Sequence, residues 1–372
     1  MPVGDRIRTF EKGEQMGFRP RCMATAVGSM PHDDAAKALD VVLANIPEAP
    51  IWPQLSGRGL NEQMEVQFSE GIPCRVIDRE KGRMYFDTSG DYSEAFAEFY
   101  EAYMVAMDPD EGTGDCSAMA ISPDHAAGLH ALEERLKAEG GRRRIVKCHT
   151  TGPCTFALAT VDENKRALYY NEEFRDVIVK AMAMKCRWQI QMLQPYAEDV
   201  ICTVDEPILS AFGSSTYVSV QRHDVVAILS EVIDAIHSDG AIAGVHCCGN
   251  TEWSILMEAG VDVVSFDAFE FGETIAMYPD HVKRHLEEEK ILAWGVVPTG
   301  AALRQQTVDS LIAHYERMVN HLVDRSGVDP QLVREQTLLT GSCGTGAMQV
   351  ADAEKVFELT AATAATLRAR YG

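Results

Sequence analysis

The sequence predicts an α/β protein, a (β/α)8 TIM barrel with an insertion after its second strand. Three observations support this: apolar, β-branched runs recur along the chain, helical patterns separate them, and polar residues collect where the runs end. Strands that alternate with helices pair in parallel through right-handed crossovers. Eight such units favour a closed barrel, and a chain of 372 residues is within the range of barrels that carry insertions.

The predicted strands are short apolar runs that end in small or polar residues. They are Ala24–Ser29, Ile51–Leu55, Ile145–Pro153, Val200–Asp205, Ala241–Cys248, Val261–Asp267, Ile291–Pro298 and Thr337–Cys343. Two intervening stretches, Asp34–Ile46 and Asp224–Ile236, repeat apolar residues three and four positions apart, which predicts amphipathic helices.

The stretch between the second and third runs, 56–144, is too long for one loop and one helix. It holds the strand-like pieces Arg83–Asp87 and Ala118–Ile121 and an acidic tract, Asp108–Asp115. We interpret it as an insertion over the mouth of the barrel. No low-complexity linker separates it from the rest, so residues 1–372 are predicted to form a single catalytic domain.

Composition excludes several classes of protein. A formal charge of -22 and a pI of 4.9 argue against nucleic acid as a partner, because phosphates attract Lys and Arg. No run of 18 apolar residues predicts a membrane span, and Met1–Arg21 lacks the apolar stretch of a signal peptide. The ten cysteines have no regular spacing, which is typical of reduced thiols and predicts a cytoplasmic protein.

The polar residues at the run ends indicate where the chemistry is. Active sites of (β/α)8 barrels lie at the carboxyl ends of the strands. The residues at or just past these ends are Ser29, Thr151, Asp205, Glu206, His246, Cys248, Asp267 and Cys343.

His246 and Cys248 are two positions apart on a predicted strand, so their side chains point the same way, and Cys247 points away from them. With Cys343 they form a set of nitrogen and sulfur ligands that zinc prefers, with a position left open for chemistry. The alternative is a buried histidine beside structural cysteines. Asp267 and Glu270 are both candidates for a fourth ligand, and Glu270 can instead cap the following helix.

Asp205 and Glu206 end another predicted strand and direct one carboxylate towards the barrel axis, where it can hold a substrate ammonium. The alternative is a cap for the helix that follows Pro207. The turns at Gly28 and Ser29 and at Thr151 can contact a ligand through backbone and hydroxyl groups. The tract Gly344-Thr345-Gly346 lacks the lysine and the spacing of a phosphate loop.

Together these motifs resemble the catalytic barrel of cobalamin-independent methionine synthase, a relative of the uroporphyrinogen-decarboxylase-like corrinoid methyltransferases. The resemblance covers nearly the whole chain, through Val27-Gly28-Ser29-Met30-Pro31, Thr151-Gly152-Pro153, Val204-Asp205-Glu206-Pro207, His246-x-Cys248 and Cys343. It implies zinc-dependent methyl transfer to the thiol of homocysteine, with His246, Cys248, Cys343 and Asp205 as catalytic residues. It also implies that Gly28, Ser29, Thr151 and Asp205 contact the substrate, and that Asp205 meets its amino group.

The chain departs from the family pattern at informative positions. The family's fourth zinc ligand is a Glu at the end of the next strand, where this chain has Asp267, so Asp267 is expected to complete the set. Ala159 replaces a Trp associated with folate, and 295–300 lacks the family's catalytic His. The family's N-terminal half, which helps to hold the folate, has no counterpart. These departures favour methylcobalamin or a methylated corrinoid protein, and not methyl-tetrahydrofolate, as the methyl donor.

Other functions stay open. A methylcorrinoid methyltransferase can use another thiol, such as coenzyme M, or a methylated substrate, although a sulfonate thiol does not need Asp205. A metal-free decarboxylase of the uroporphyrinogen type needs arginines at the mouth, for which Arg58 and 142–144 are the candidates. A third hypothesis is a non-enzymatic subunit that is stabilised by zinc and binds a corrinoid protein.

Overall fold

A computed structural model describes residues 18–107 and 114–371, so predictions that concern 1–17 and most of the acidic tract lie outside the described residues. The fold is built on a curled sheet of seven parallel strands. They are β1 (Met23–Ala24), β4 (Arg143–Thr151), β5 (Ala197–Asp205), β6 (Ile242–Cys247), β7 (Val263–Phe266), β8 (Ile291–Val297) and β9 (Thr337–Gly341). Their order across the sheet is β1-β9-β8-β7-β6-β5-β4. The parallel α/β architecture predicted from the sequence is therefore confirmed.

The second predicted strand is present only as isolated bridges. Ser29 pairs with Gln54, and Ile51 pairs with Lys147, both in the parallel sense. The backbone N–H of Lys147 donates to the carbonyl of Pro50 at 2.9 Å. Residues 50–54 therefore connect the segment after β1 to β4, the two edges of the seven-stranded sheet.

Helices cover the outer face of the sheet and fill the connections. They are α1 (Ala35–Asn45), α2 (Met64–Gln67), α3 (Ser93–Met107), α4 (Ala127–Glu139), α5 (Pro153–Ala159), α6 (Glu172–Leu193), α7 (Arg222–Ser238), α8 (Trp253–Glu258), α9 (Ala268–Phe271), α10 (Pro279–Glu287), α11 (Val308–Ser326), α12 (Pro330–Glu335) and α13 (Val350–Tyr371). The predicted helices Asp34–Ile46 and Asp224–Ile236 correspond to α1 and α7. Within the described chain, no helix is both long and apolar enough to cross a lipid bilayer.

The two faces of the sheet have separate cores, because successive side chains of a strand point to opposite sides. The large core lies between the outer face and the helices. A small second core lies on the inner face, built from the beginnings of the strands: Phe18, Met23, Ala49, Ile145, Ile201, Ile242, Val263, Ile291, Ala293 and Leu338. Farther along the same strands the inner face becomes polar. The inner face is thus apolar where the strands begin and carries functional groups where they end.

The stretch predicted as an insertion, 56–144, contains α2, α3, α4 and a separate antiparallel hairpin, β2 (Arg75–Asp78) and β3 (Arg83–Phe86). The strand-like piece Arg83–Asp87 is thereby confirmed. The strand expected at Ala118–Ile121 is wrong: a 3-10 turn begins there at Ser117, and its apolar side chains Met119 and Ile121 are buried without sheet pairing. Helix α4 packs against α1, where Arg135 and Asp40 form an ion pair of 2.9 Å. The placement of an insertion over the mouth stays a prediction.

Candidate metal centre

A row of polar side chains crosses four neighbouring strands near their carboxyl ends. Thr151 on β4 is in register with Asp205 on β5, Asp205 with His246 on β6, and His246 with Ser265 on β7. In a parallel sheet, residues in register point to the same face. All four side chains are buried. The sheet therefore brings together polar groups that are more than a hundred residues apart in sequence.

His246, Cys248 and Cys343 form a cluster at the end of this row. One ligand atom from each residue lies within 4.8 Å of the other two. His246 is the fifth residue of β6, and Cys248 follows the strand by one position, so both point inwards as the alternation predicts. Cys343 comes from the loop that follows β9. The three predicted ligands thus converge.

Cys247, between the two β6 ligands, is fully buried in the outer core, and its thiol contacts the carbonyl of Gly249 at 3.5 Å. The prediction that Cys247 points away from the cluster is confirmed. Cys247 and Cys248 are adjacent but face opposite sides of the sheet. Cys247 therefore packs in the outer core, and Cys248 is a candidate ligand.

The imidazole of His246 is held in a fixed orientation. Its Nδ1 lies 3.0 Å from the Ser265 hydroxyl, whereas its Nε2 is buried and has no hydrogen-bond partner. Burial, together with the positive charge of Lys147, lowers the pKa of His246 to about 3, so the ring is neutral. Metal-binding histidines commonly fix one nitrogen by a hydrogen bond and present the other to the ion. An unpartnered Nε2 beside two thiols fits a zinc ion, because zinc prefers this donor set.

The thiols of Cys248 and Cys343 interact directly. A hydrogen bond from Cys343 lowers the pKa of Cys248 to about 7, and the same interaction raises the pKa of Cys343. At neutral pH the pair therefore readily supplies a thiolate, which is the form of cysteine that binds a metal.

Asp267 and Glu270 do not join this cluster of ligand atoms, which consists of three residues in the described parts of the chain. Asp267 caps helix α9: its Oδ1 accepts hydrogen bonds from the backbone N–H groups of Phe269 and Glu270, each at 2.9 Å. Burial raises the pKa of Asp267 to about 6, and the Asp267 carboxylate lies close enough to Cys248 to raise the pKa of that thiol. Glu270 is exposed on α9. Ligation by Asp267 stays a prediction.

Asp205 and Glu206, although adjacent, have different surroundings. Glu206 is fully buried and accepts hydrogen bonds from the backbone N–H groups of Cys154 and Thr155 at 2.9 and 2.7 Å, and from the Thr155 hydroxyl at 2.6 Å. It therefore caps α5, and not the segment after Pro207. One oxygen of Asp205, Oδ1, is buried without any hydrogen-bond partner. Burial raises the pKa of Asp205 to about 7, and the nearby ammonium of Lys147 opposes that rise.

The other predicted substrate contacts are Thr151, which is in register with Asp205, and Ser29 and Gly28 in the loop after β1. Thr151 donates a hydrogen bond to the Met64 carbonyl at 3.2 Å. The Ser29 hydroxyl accepts one from the Gly346 N–H at 3.2 Å, and a side chain at Gly344 would overlap that hydroxyl. The glycines after Cys343 therefore let its loop lie against the loop after β1. Gly28 is in contact with the ring of His149.

Two buried residues of the inner face, Lys147 and His149, were missed by the sequence analysis. Both lie in the run Ile145–Pro153, and they alternate with outward-facing residues on β4. The His149 ring stacks on Trp52, with centroids 4.0 Å apart, and neither ring nitrogen has a partner. The alternation Ile145, Lys147, His149, Thr151 was the signal that could have found them.

The candidate arginines for a decarboxylase have other contacts or positions. Arg58 is engaged by the carboxylate of Glu62 at 2.7 Å and by the carbonyl of Asp33 at 2.9 Å. Residues 142–144 lie at the beginning of β4, at the opposite end of the strand from Thr151.

Comparisons with known proteins agree with this architecture. No protein-family model matches the chain, and no curated protein sequence matches it. Among solved structures, a methyltransferase from Methanosarcina mazei is 15% identical with a TM-score of 0.56, and the match covers 97% of this chain and 96% of that one. A B12-independent methionine synthase from Shewanella sp. W3-18-1, in complex with selenomethionine, is 12% identical with a TM-score of 0.53, covering 94% and 98%. At these identities the likeness shows a shared fold over nearly the whole chain.

Proposed function

We propose that this protein is a zinc-dependent methyltransferase that moves a methyl group to the thiol of homocysteine, giving methionine. The proposal rests on one arrangement: His246, Cys248 and Cys343 place their ligand atoms within 4.8 Å of one another, and His246 is in register with Asp205, whose Oδ1 has no partner. Under this proposal the curled sheet and residues 50–54 form the barrel of a (β/α)8 fold. The fold shared with a methyltransferase and a methionine synthase supports the proposal.

His246, Cys248 and Cys343 would hold the metal, with Asp267 as the candidate fourth ligand. A zinc ion held there would lower the pKa of a substrate thiol, so that the nucleophilic thiolate would be present near neutral pH. Ser265 would keep Nε2 of His246 directed at the ion. The apolar core of the inner face fills the space at the amino ends of the strands. The substrate sulfur and the methyl donor would therefore meet at the carboxyl ends.

The methyl donor we propose is a methylcorrinoid, either free methylcobalamin or a methylated corrinoid protein. The corrinoid would supply an electrophilic methyl group: the substrate sulfur would form the new S–CH₃ bond while the cobalt–carbon bond breaks, and the electron pair of that bond would remain on cobalt in cob(I)alamin. The thiol proton passes to solvent. Because cob(I)alamin leaves without a proton, no general acid is required, which agrees with the absence of a histidine in 295–300.

Anaerobic mixing of the zinc-loaded protein with methylcobalamin and homocysteine tests this function. We expect the methylcobalamin spectrum to convert to that of cob(I)alamin with one methionine formed per corrinoid. Coenzyme M in place of homocysteine is the matched control and should be much slower, because it has no ammonium for Asp205. Equal or faster conversion with coenzyme M would contradict homocysteine as the substrate, and methionine formed from methyl-tetrahydrofolate but not from methylcobalamin would contradict the donor.

A further inference from the structure

Lys147 is a buried cation that the proposed mechanism does not yet use. It lies on the inner face of β4, and its Nζ donates a hydrogen bond of 2.8 Å to the carbonyl of Val27, next to Gly28 and Ser29. An ammonium has three N–H donors, and in the described chain no second hydrogen bond or ion pair engages this one. Because ammonium groups are very rarely buried without a charged partner, this arrangement calls for an anion.

The nearest candidate anion, Asp205, does not meet that need. Lys147 is the strongest charged influence on Asp205, yet no N–O distance of 4.0 Å or less joins the two side chains, and Oδ1 of Asp205 is unpartnered. The two ionisable side chains are therefore buried near each other without a hydrogen bond or ion pair between them. Such a pair is poorly stabilised unless further groups complete its hydrogen bonds. A group with one cationic and one anionic end would satisfy both.

Both side chains lie beyond the apolar core of the inner face, towards the carboxyl ends of the strands. Lys147 and Asp205 keep exposed fractions of 6% and 9%, whereas Ile145, two residues before Lys147 on the same face, is fully buried in the inner core. Residues 50–54 and β4 lie between the loop after β1 and β5, so the strand that carries Lys147 lies between the segments that carry Ser29 and Asp205. The Ser29 hydroxyl accepts a hydrogen bond from the Gly346 N–H and can still donate its own proton, so Lys147 is a second donor on that side.

We propose that Lys147 and Asp205 together bind the zwitterionic head group of an α-amino-acid thiol, with Asp205 accepting from its ammonium and Lys147 donating to its carboxylate. This inference rests on the proposed function and deepens it by adding Lys147 as a residue that determines substrate specificity. It makes the protein selective for thiols that carry both charges.

Calorimetric titration of the zinc-loaded protein with three thiols tests the assignment. Homocysteine has both charges, 3-aminopropane-1-thiol lacks the carboxylate, and 4-mercaptobutanoate lacks the ammonium. In Lys147→Met, we expect homocysteine and 4-mercaptobutanoate to bind roughly 30-fold more weakly, because a buried charge pair is removed. Affinity for 3-aminopropane-1-thiol should be unchanged. Comparing thiols within one protein separates recognition from any general loss of stability.

Lys185→Met is the matched control. Lys185 is fully buried, and its Nζ likewise donates to a backbone carbonyl, that of Glu70, at 2.6 Å, but it lies on α6 outside the polar row. This variant should leave all three affinities unchanged.

The carboxylate role of Lys147 would be overturned if Lys147→Met weakened the binding of all three thiols equally, or weakened only the binding of 3-aminopropane-1-thiol. If homocysteine binds to the wild-type protein and is methylated while Lys147→Met binds it normally, this inference alone fails. If homocysteine does not bind to the wild-type protein, the proposed function fails with it.

Discussion

Cys247 and Cys248 are chemically identical neighbours whose thiols face opposite sides of β6. This makes them a matched pair for testing the metal site. Cys248→Ser should lose stoichiometric zinc and methyl transfer together, because a neutral hydroxyl is a poor substitute for a thiolate ligand. Cys247→Ser should keep both, with a loss of stability from burying a hydroxyl in the outer core. Atomic emission spectrometry of both purified variants measures the zinc bound per protein molecule. Stoichiometric zinc in Cys248→Ser would contradict the assignment of Cys248 as a ligand.

Under the proposed function, Ser265 would act on the metal through His246. Without its hydroxyl 3.0 Å from Nδ1, the imidazole can rotate or change tautomer, so Nε2 is less often directed at the ion. We expect Ser265→Ala to weaken zinc binding by roughly 10- to 100-fold. Competition against a fluorescent zinc chelator measures this. Ser230→Ala on α7, whose hydroxyl donates to the Ala259 carbonyl at 3.2 Å, is the control, and an equal effect there would count against a specific role for Ser265.

Functional residues could be identified from the sequence where the residue type itself indicates one kind of chemistry. His246, Cys248 and Cys343 were identified because their types and the two-residue spacing are those of a metal site, and they converge. Lys147 and His149 were missed because the run around them was read as apolar, whereas half of its side chains point to a polar inner face. The different roles of Asp205 and Glu206 depend on which backbone N–H groups α5 presents, and the sequence contains no local signal for that contact.

At the scale of the element, helix α10 and strand β8 are joined by a pH-sensitive contact. His285 on α10 donates from Nε2 to the carbonyl of Ile291 at 3.1 Å, and burial lowers its pKa to about 4. Between about pH 6.5 and pH 4 the unfolded chain therefore binds a proton that the folded protein does not. Folding stability should accordingly fall as the pH drops through this window.

His285→Gln should flatten that dependence, because glutamine can still donate to the carbonyl but does not titrate. We expect the loss of unfolding free energy between pH 7.5 and pH 5 to be smaller in the variant by about 2 kcal/mol. Urea titrations of both proteins at the two pH values measure the difference. Identical pH dependence would show that His285 is protonated equally in the folded and unfolded states.

Strands could be predicted from the sequence where the apolar run is long and continuous. β4 to β9 coincide with predicted strands because buried parallel strands are nearly uniform apolar runs. β1 is shorter than predicted, and residues 51–54 form only isolated bridges, because an apolar run specifies burial but not the number of ladder hydrogen bonds. The same limit explains Ala118–Ile121, which is apolar and buried but forms a 3-10 turn.

On the scale of the whole molecule, the metal site connects distant parts of the sheet. His246 and Cys248 belong to β6 and Cys343 follows β9, with β7 and β8 between them. Because the three ligands converge only in the folded chain, zinc should stabilise folding by mass action. We expect zinc-loaded protein to melt roughly 5–10 °C above the chelator-treated protein. Differential scanning calorimetry measures the shift, and a shift of the same size in Cys248→Ser would contradict a site formed by these ligands.

The contact between the loop after β1 and the loop after β9 also has a consequence for biosynthesis. The Gly346 N–H donates to the Ser29 hydroxyl, and Cys343 is the last ligand along the chain. During translation, His246 and Cys248 leave the ribosome almost a hundred residues before Cys343. If the proposed metal site is right, a nascent chain exposes two candidate ligands of an incomplete site, and all three ligands can hold the metal only once the final strand has been released and has packed against the first.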